Sequence, residues 1–536
     1  MKKQEEKHPS IFEPFALLLN IVTGVLGAII GIQLVTTLGV TPNTAIIGAL
    51  VAMLISRIPV AIFKKYRSIH RQNLVQTSIS SATFGAANSL LIPIGIPFVM
   101  GETQLIVPML IGAALAMFVD AAILYKVFDS KLFPARETWA PGVATAESIM
   151  AGDKGGKRAA LLGVGTVIGL IGSSLHISMS AFGVAFIGNI WALTMFGIGL
   201  LIRQYSVPWL GIDVNALYIA HGVMIGAGIV ALIQAGMLIF SRQKKKGGPA
   251  AAAGASAESG DNGLTRPIGE ARRALGLGFL AYLVIALIIA MIGGIATHMS
   301  VGMLIGFMLF AAFAAFVHEL IVGIAAMHSG WFPAFAVAFI TLLFGMLLGF
   351  PPVALALLAG FSAATGPAFA DMGYDLKTGY ILRGKGQDKE FELHGRKQQY
   401  ITGMIAFGVA LLTVLFTYKN FFAQNLVPPI DTVYASTIKA GASPDVALQL
   451  LLWAIPGAIV QLIGGPSRQL GVLFATGLLI LTPNACWAVL SGILIRLIVL
   501  KLKKKDAEAS MSILAAGFIA GDALYSFFNS IFKIRK

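Results

Sequence analysis

Asp371 and Asp375 stand one helical turn apart, with Lys377 two residues further on, at the end of an apolar run over residues 352–369. If the segment is helical, the two carboxylates share a face. Charge at the end of a membrane span is costly to place there, so such a cluster is paired or lines a watery cavity. It can answer to protons, hold a charged terminus of a substrate, or act as a structural ion pair, with Lys377 near enough to pair with either aspartate. His318-Glu319 lies within or at the end of a second apolar run, with His328 beyond it. A histidine beside a carboxylate can relay protons near neutral pH, or be a satisfied interfacial pair. Asp522 is alone in its apolar run, as are His176 and His221, and a lone carboxylate is the costliest of the three to bury. Asp371, Asp375, Lys377, Glu319, His318 and Asp522 are thus the candidates for proton coupling.

The uncharged candidates lie in residues 72–100, which carry Asn73, Gln76, Thr77, Ser78, Ser80, Ser81, Thr83, Asn88 and Ser89 and are punctuated by Pro93 and Pro97. Proline removes a backbone donor and frees a carbonyl. A polar, proline-broken helix suits an uncharged peptide backbone, which needs donors and acceptors; the same side chains can instead glue helices together. Asn73, Gln76, Thr77, Ser80 and Asn88 are expected to line a substrate site. Thr365 joins them from Ser362-Ala363-Ala364-Thr365-Gly366-Pro367, which should break a helix just before Asp371.

The elements that must position these residues are membrane helices. The chain has 536 residues, 57% hydrophobic and 12% charged, against roughly 25% charged in a soluble domain. Its apolar residues come in blocks of about 20, enough to cross a bilayer, and its 60 glycines allow close helix approach. This reads as an all-α polytopic membrane protein of about 14–16 crossings, among them spans near 158–180, 182–202, 212–240, 469–482 and 509–532. The net charge of +15 gathers in short loops as the positive-inside rule expects, which places 64–71, 126–136 and 377–397 in the cytoplasm and argues against nucleic-acid binding. The charged N-terminus has no cleavage-site pattern, which fits a plasma membrane, the inner membrane if the source is bacterial.

Residues 242–271 read as a flexible cytoplasmic linker between transmembrane halves 1–241 and 272–536. The halves echo one another. Gly199-Leu200-Leu201-Ile202-Arg203 matches Gly492-Ile493-Leu494-Ile495-Arg496, and Ala220-His221-Gly222 with Gly226 matches Ala515-Ala516-Gly517 with Gly521. Duplicated halves around a central site are a common transporter plan. The last span of each half has basic residues on both sides, so those segments are split, re-entrant, or oriented against the rule. Residues 139–156, with Glu147, Asp153 and Lys154, are too polar to span and form a re-entrant half-helix or a cytoplasmic loop.

Asp371-Met372-Gly373-Tyr374-Asp375-Leu376-Lys377-Thr378-Gly379-Tyr380, followed by Gly395-Arg396-Lys397-Gln398-Gln399, resembles the signature of the oligopeptide transporter family, which includes the yellow-stripe-like metal-chelate transporters. Asn73-Leu74-Val75-Gln76-Thr77, Phe133-Pro134, Ala146-Glu147, Ala151-Gly152-Asp153-Lys154-Gly155-Gly156 and Gly521-Asp522 agree in order. The resemblance implies a secondary transporter without cofactor, a symporter of protons with small oligopeptides; the alternative is uptake of metal chelates. "DLKTGY" points to a prokaryotic member nearer the yellow-stripe-like branch, and the "NPG" and "KIPPR" strings of the fungal and plant peptide branch are absent. A homo-oligomer is compatible with the sequence.

Other classes fit poorly. There is no phosphate-binding Gly-x-x-x-x-Gly-Lys-Ser/Thr loop for an ATP-driven pump. A zinc hydrolase needs His-Glu-x-x-His, but the histidine after His318-Glu319 is His328. A channel would show a repeated pore motif or charge ring. Cys486 is the only cysteine, so a cysteine-based metal site or iron–sulfur cluster is excluded.

Overall fold

In hydrocarbon a backbone N–H finds no water, so an apolar run folds as a helix that satisfies its own donors. The computed structural model describes residues 8–38, 44–214, 216–240, 264–330, 332–441, 444–480, 484–503 and 506–533. Among these there is no strand, only an isolated bridge between Phe128 and Phe133. The protein is an all-α polytopic membrane protein. Ten of its described helices are long and apolar enough to cross a bilayer, and five shorter apolar helices accompany them. Leu451, Leu452, Ile455, Ile459 and Ile463 project outward from Pro444–Arg468, an apolar face that surrounding lipid accounts for.

Some of the apolar blocks hide a break. The 182–202 run is two helices: Met179–Ile187 stops at Gly188, and the Asn189 side chain caps Ile190–Leu210. Met179–Ile187 and Leu470–Leu479, its counterpart in the second half, have nine and ten residues. At 1.5 Å per residue they reach about 14–15 Å, half of a core of about 30 Å. Ile219–Phe240 and Asp506–Lys533 are each a single helix, so splitting does not explain their basic flanks. Ahead of the first of them, Arg203 on Ile190–Leu210 pairs with Asp213 at 3.5 Å and is not a loop charge.

The halves hold each other reciprocally. Ile219–Phe240 packs along Pro444–Arg468, and Asp506–Lys533 packs along Gly156–Ser174. Both seams are built on glycines: Gly222 and Gly226 lie on the backbone of Leu450 and Ala454, Gly457 on that of Val223, and Gly517 and Gly521 on Gly165 and Gly169. The echoed motifs are therefore packing surfaces. The second half also grips the half-helix Met179–Ile187 at both ends. Asp522 accepts from Ser180 N (3.0 Å) at its start, and Arg496 Nη1 donates to Gly188 O (2.6 Å) at its end. An anion at the N-terminus and a cation at the C-terminus both complement the helix dipole.

Of the two spans expected to break, one stays helical through Pro93 and Pro97 and the other is interrupted. The 69–100 span runs as Ile69–Phe84, a π-helical stretch Gly85–Leu91, and Ile92–Met100. The 352–382 span stops at Ala364 and restarts at Pro367. Gly366 between them has φ 92°, a value that favours glycine. Ala140–Lys154 is a short helix buried along most of its length, not an open loop.

Residues 242–263 of the expected linker lie outside the described residues. Its last residues are held: Thr265 N and Oγ1 both donate to Asp129 (3.0 and 2.6 Å), and Ile268–Ile292 already begins at 268.

Candidate functional site

Asp371 and Asp375 do share a face of Pro367–Leu382, and that face lies on the polar side of Ile69–Phe84. Ser80 Oγ donates to Asp371 (2.6 Å). Gln76 Nε2 and Ser81 Oγ donate to Asp375 (2.6 and 3.1 Å). Asn73 Nδ2 donates to Gln76 (3.0 Å). All these residues are buried. A π-bulged span and a broken one, one from each half, are thus joined by carboxylates and uncharged donors, with Asp371 Oδ2 left unpartnered.

Lys377 corrects the expectation that it pairs with an aspartate. Residues two apart on a helix do not face each other, and Lys377 Nζ instead donates to the carbonyls of Ala135 (2.8 Å) and Glu137 (2.6 Å). Nor is 377–397 all loop, since Pro367–Leu382 and Lys389–Ala423 take in most of it. Part of its charge is internal: Glu392 accepts from Arg383 Nε (through Oε2, 2.8 Å) and Arg396 Nη2 (through Oε1, 3.0 Å) with no side-chain exposure, and Arg396 also reaches Thr265 (2.9 Å). Gln399 bonds the Asp375 backbone carbonyl and Thr77 (3.0 Å), and accepts from Arg383 (3.1 Å). The "DLKTGY" and "RKQQ" strings are therefore two sides of one buried network.

A family model described as OPT oligopeptide transporter protein matches residues 14–242 and 211–533. The chain belongs to the oligopeptide transporter family. No curated protein sequence matches it.

The transporter's remaining candidates are dispersed. His318 and Glu319 do not meet: His318 Nδ1 lies against Ser362 O and Thr365 Oγ1, while Glu319 bonds Tyr282. Thr365 donates to Ser362 O (2.8 Å), at the helix break. Asn88 is partly buried on the π-helical stretch. Asp522 caps a half-helix and accepts from Ser173. His221 packs between the rings of Tyr218 and Phe339, and His176 is exposed with φ 62°.

A cavity of about 220 Å³ opens beside this network, lined by Lys131, Arg136, Glu137, His328 and Gln469 among others. Glu137 and His328 approach to 3.9 Å, and the Glu137 carbonyl is one that Lys377 holds. The cavity is below the roughly 300–1,000 Å³ of ordinary ligand sites, so a tripeptide requires it to widen. Sequence reasoning passed over Lys131, Arg136 and Glu137 because they lie in or beside a short basic loop that reads as a topology signal. It also missed Asp120, Tyr282 and Asp431, each fully buried; an ionisable residue within an apolar run was the available signal for the two aspartates. Among the described residues no cluster of three or more His, Cys, Asp or Glu is placed to hold a metal ion.

Proposed function

We propose that this oligopeptide transporter family member is a secondary active symporter that carries small peptides into the cell across the plasma membrane with protons. The observation that carries the reading is the junction of the broken 352–382 span with the π-bulged 69–100 span, where Asp371 and Asp375 meet Gln76, Ser80 and Ser81. The two buried carboxylates meet only uncharged donors there, and a break such as that at Gly366 is where transporters place their sites. The cavity lined by Glu137, whose backbone carbonyl Lys377 holds, offers the Glu137 carboxylate to a peptide's ammonium end and Arg136 or Lys131 to its carboxylate. One proton moving down about 100 mV releases about 2.3 kcal/mol, enough for roughly fifty-fold accumulation of a neutral solute.

The test is uptake of labelled tri- and tetrapeptides, beside an iron–chelator complex, into proteoliposomes with an imposed inward proton gradient. Peptide accumulation is expected, lost with a protonophore and reduced at least ten-fold in Asp375→Asn. Accumulation of the chelate alone would move the protein to the metal-chelate reading.

A further inference from the structure

A fully enclosed polar cluster outside that junction joins three helices. Asp120 comes from Ile106–Val127, Tyr282 from Ile268–Ile292 and Glu319 from Val301–Ser329. All three side chains are fully buried. The Tyr282 hydroxyl is 2.5 Å from Asp120 Oδ1 and 2.5 Å from Glu319 Oε2. A phenol has one hydrogen to donate, so it can serve only one of the two carboxyls. If both were ionised, the other contact would set two oxygen lone pairs together with no proton between them. One carboxyl is therefore a neutral acid that donates to the Tyr282 oxygen.

The surroundings say which one. Asp120 Oδ2 accepts from Gly366 N at 2.5 Å, so this carboxyl sits at the N-terminus of Pro367–Leu382, where the helix dipole favours an anion. Glu319 Oε1 has no partner, which suits a neutral acid. The groups facing the pair are Tyr282 from Ile268–Ile292, the amides of Gly366 and Phe369 from the 352–382 span, and His318 on Glu319's own helix, turned toward Ser362 and Thr365. Among the described residues neither carboxyl has an ion-pair partner.

We infer that Asp120, Tyr282 and Glu319 form a proton-binding relay whose charge state controls the cap of the half-helix carrying Asp371 and Asp375. Glu319 gives its proton to the Tyr282 oxygen as Tyr282 gives its own to Asp120; the O–H bond at Glu319 breaks, one forms at Asp120, and the phenol is unchanged. Asp120 becomes neutral and the half-helix loses its anionic cap. The relay thereby links proton occupancy to the break at Gly366. This rests on the symport reading for its role in transport, but the proton's location does not.

Infrared difference spectra of the full-length protein in liposomes at neutral pH test the location directly. Wild type minus Glu319→Gln should show loss of one protonated-carboxyl carbonyl stretch, because Gln keeps a donor to Tyr282 but has no acid. Tyr282→Phe should shift that band upward, since the hydrogen bond to the phenol is gone. A carboxyl region unchanged in both variants overturns the proposal. In gradient-driven uptake, Asp120→Asn and Glu319→Gln should both lose the accumulation that wild type shows; a variant pair that accumulates like wild type overturns the coupling role. Wild type that ignores the gradient would sink the symport reading, while the infrared result would still stand or fall by itself.

Discussion

Glu392 illustrates how charge is kept inside this molecule. It is flanked by the guanidiniums of Arg383 and Arg396, and none of the three side chains is exposed. Removing one member of a buried ion network leaves the others uncompensated, at about 3–5 kcal/mol. Glu392→Gln, with two guanidiniums left over, is expected to lose that much in reversible unfolding, whereas a change at exposed Asp153 should leave stability within experimental scatter. His8 carries a pH dependence. It packs on His70 and Phe391, with His394 edge-on, while Ile11 N donates to Gln398 (3.0 Å) nearby. Burial first, then Arg383 and His70, lowers its pKa from 6.5 to about 3. The docked segment thus disfavours the charged form. Its stability is complete above about pH 6.5 and falls as the pH drops toward 3, by about 2 kcal/mol at pH 5. A fluorophore on Ser10→Cys should report release of the N-terminal segment as the pH falls from about 7 to about 5; a signal flat over that range would refute the docking account. Asp371, Asp375, Gln76 and Ser80 were legible as polar residues at helical spacing among apolar ones. Their pairing was not, because it depends on how helices nearly 300 residues apart in sequence are rotated against each other. Lys377 was misjudged for a local reason: nearness in sequence stood in for a shared helix face.

At the scale of elements, glycine placement carries the argument. A Cβ at Gly226 would run into the Ala454 carbonyl, and the helices would have to separate. Gly226→Val is expected to cost at least the roughly 1–3 kcal/mol of an overpacked core, read as a lower unfolding temperature and loss of a single chromatographic peak. Gly408→Ala, where a Cβ meets nothing within 4 Å, is the matched change that should leave both unchanged; equal behaviour of the two variants would contradict the seam. The existence of the helices was legible from hydropathy. The half-helices were not, because the hydropathy runs straight through Gly188, and only the Asn189 side chain marks a new start. The break at 365–366 was legible, since a proline following a glycine cannot continue a helix and favours the first turn of the next.

At the scale of the molecule, two interlocked halves enclose a spine of buried polar groups. It runs from the Asp120 relay through the Gly366 break to Asp371 and Asp375, and on through Gln399 to Arg383, Glu392 and Arg396. Such a spine is expensive in a membrane, and the proposed proton-coupled movement of the broken 352–382 span is the account that gives it a use. The most direct test is a pH-sensitive dye sealed inside proteoliposomes held at an imposed membrane potential, negative inside. Addition of a tripeptide outside should acidify the lumen in wild type and fail to do so in Asp375→Asn. Labelled peptide entering wild-type vesicles with no change in luminal pH would contradict proton-coupled symport.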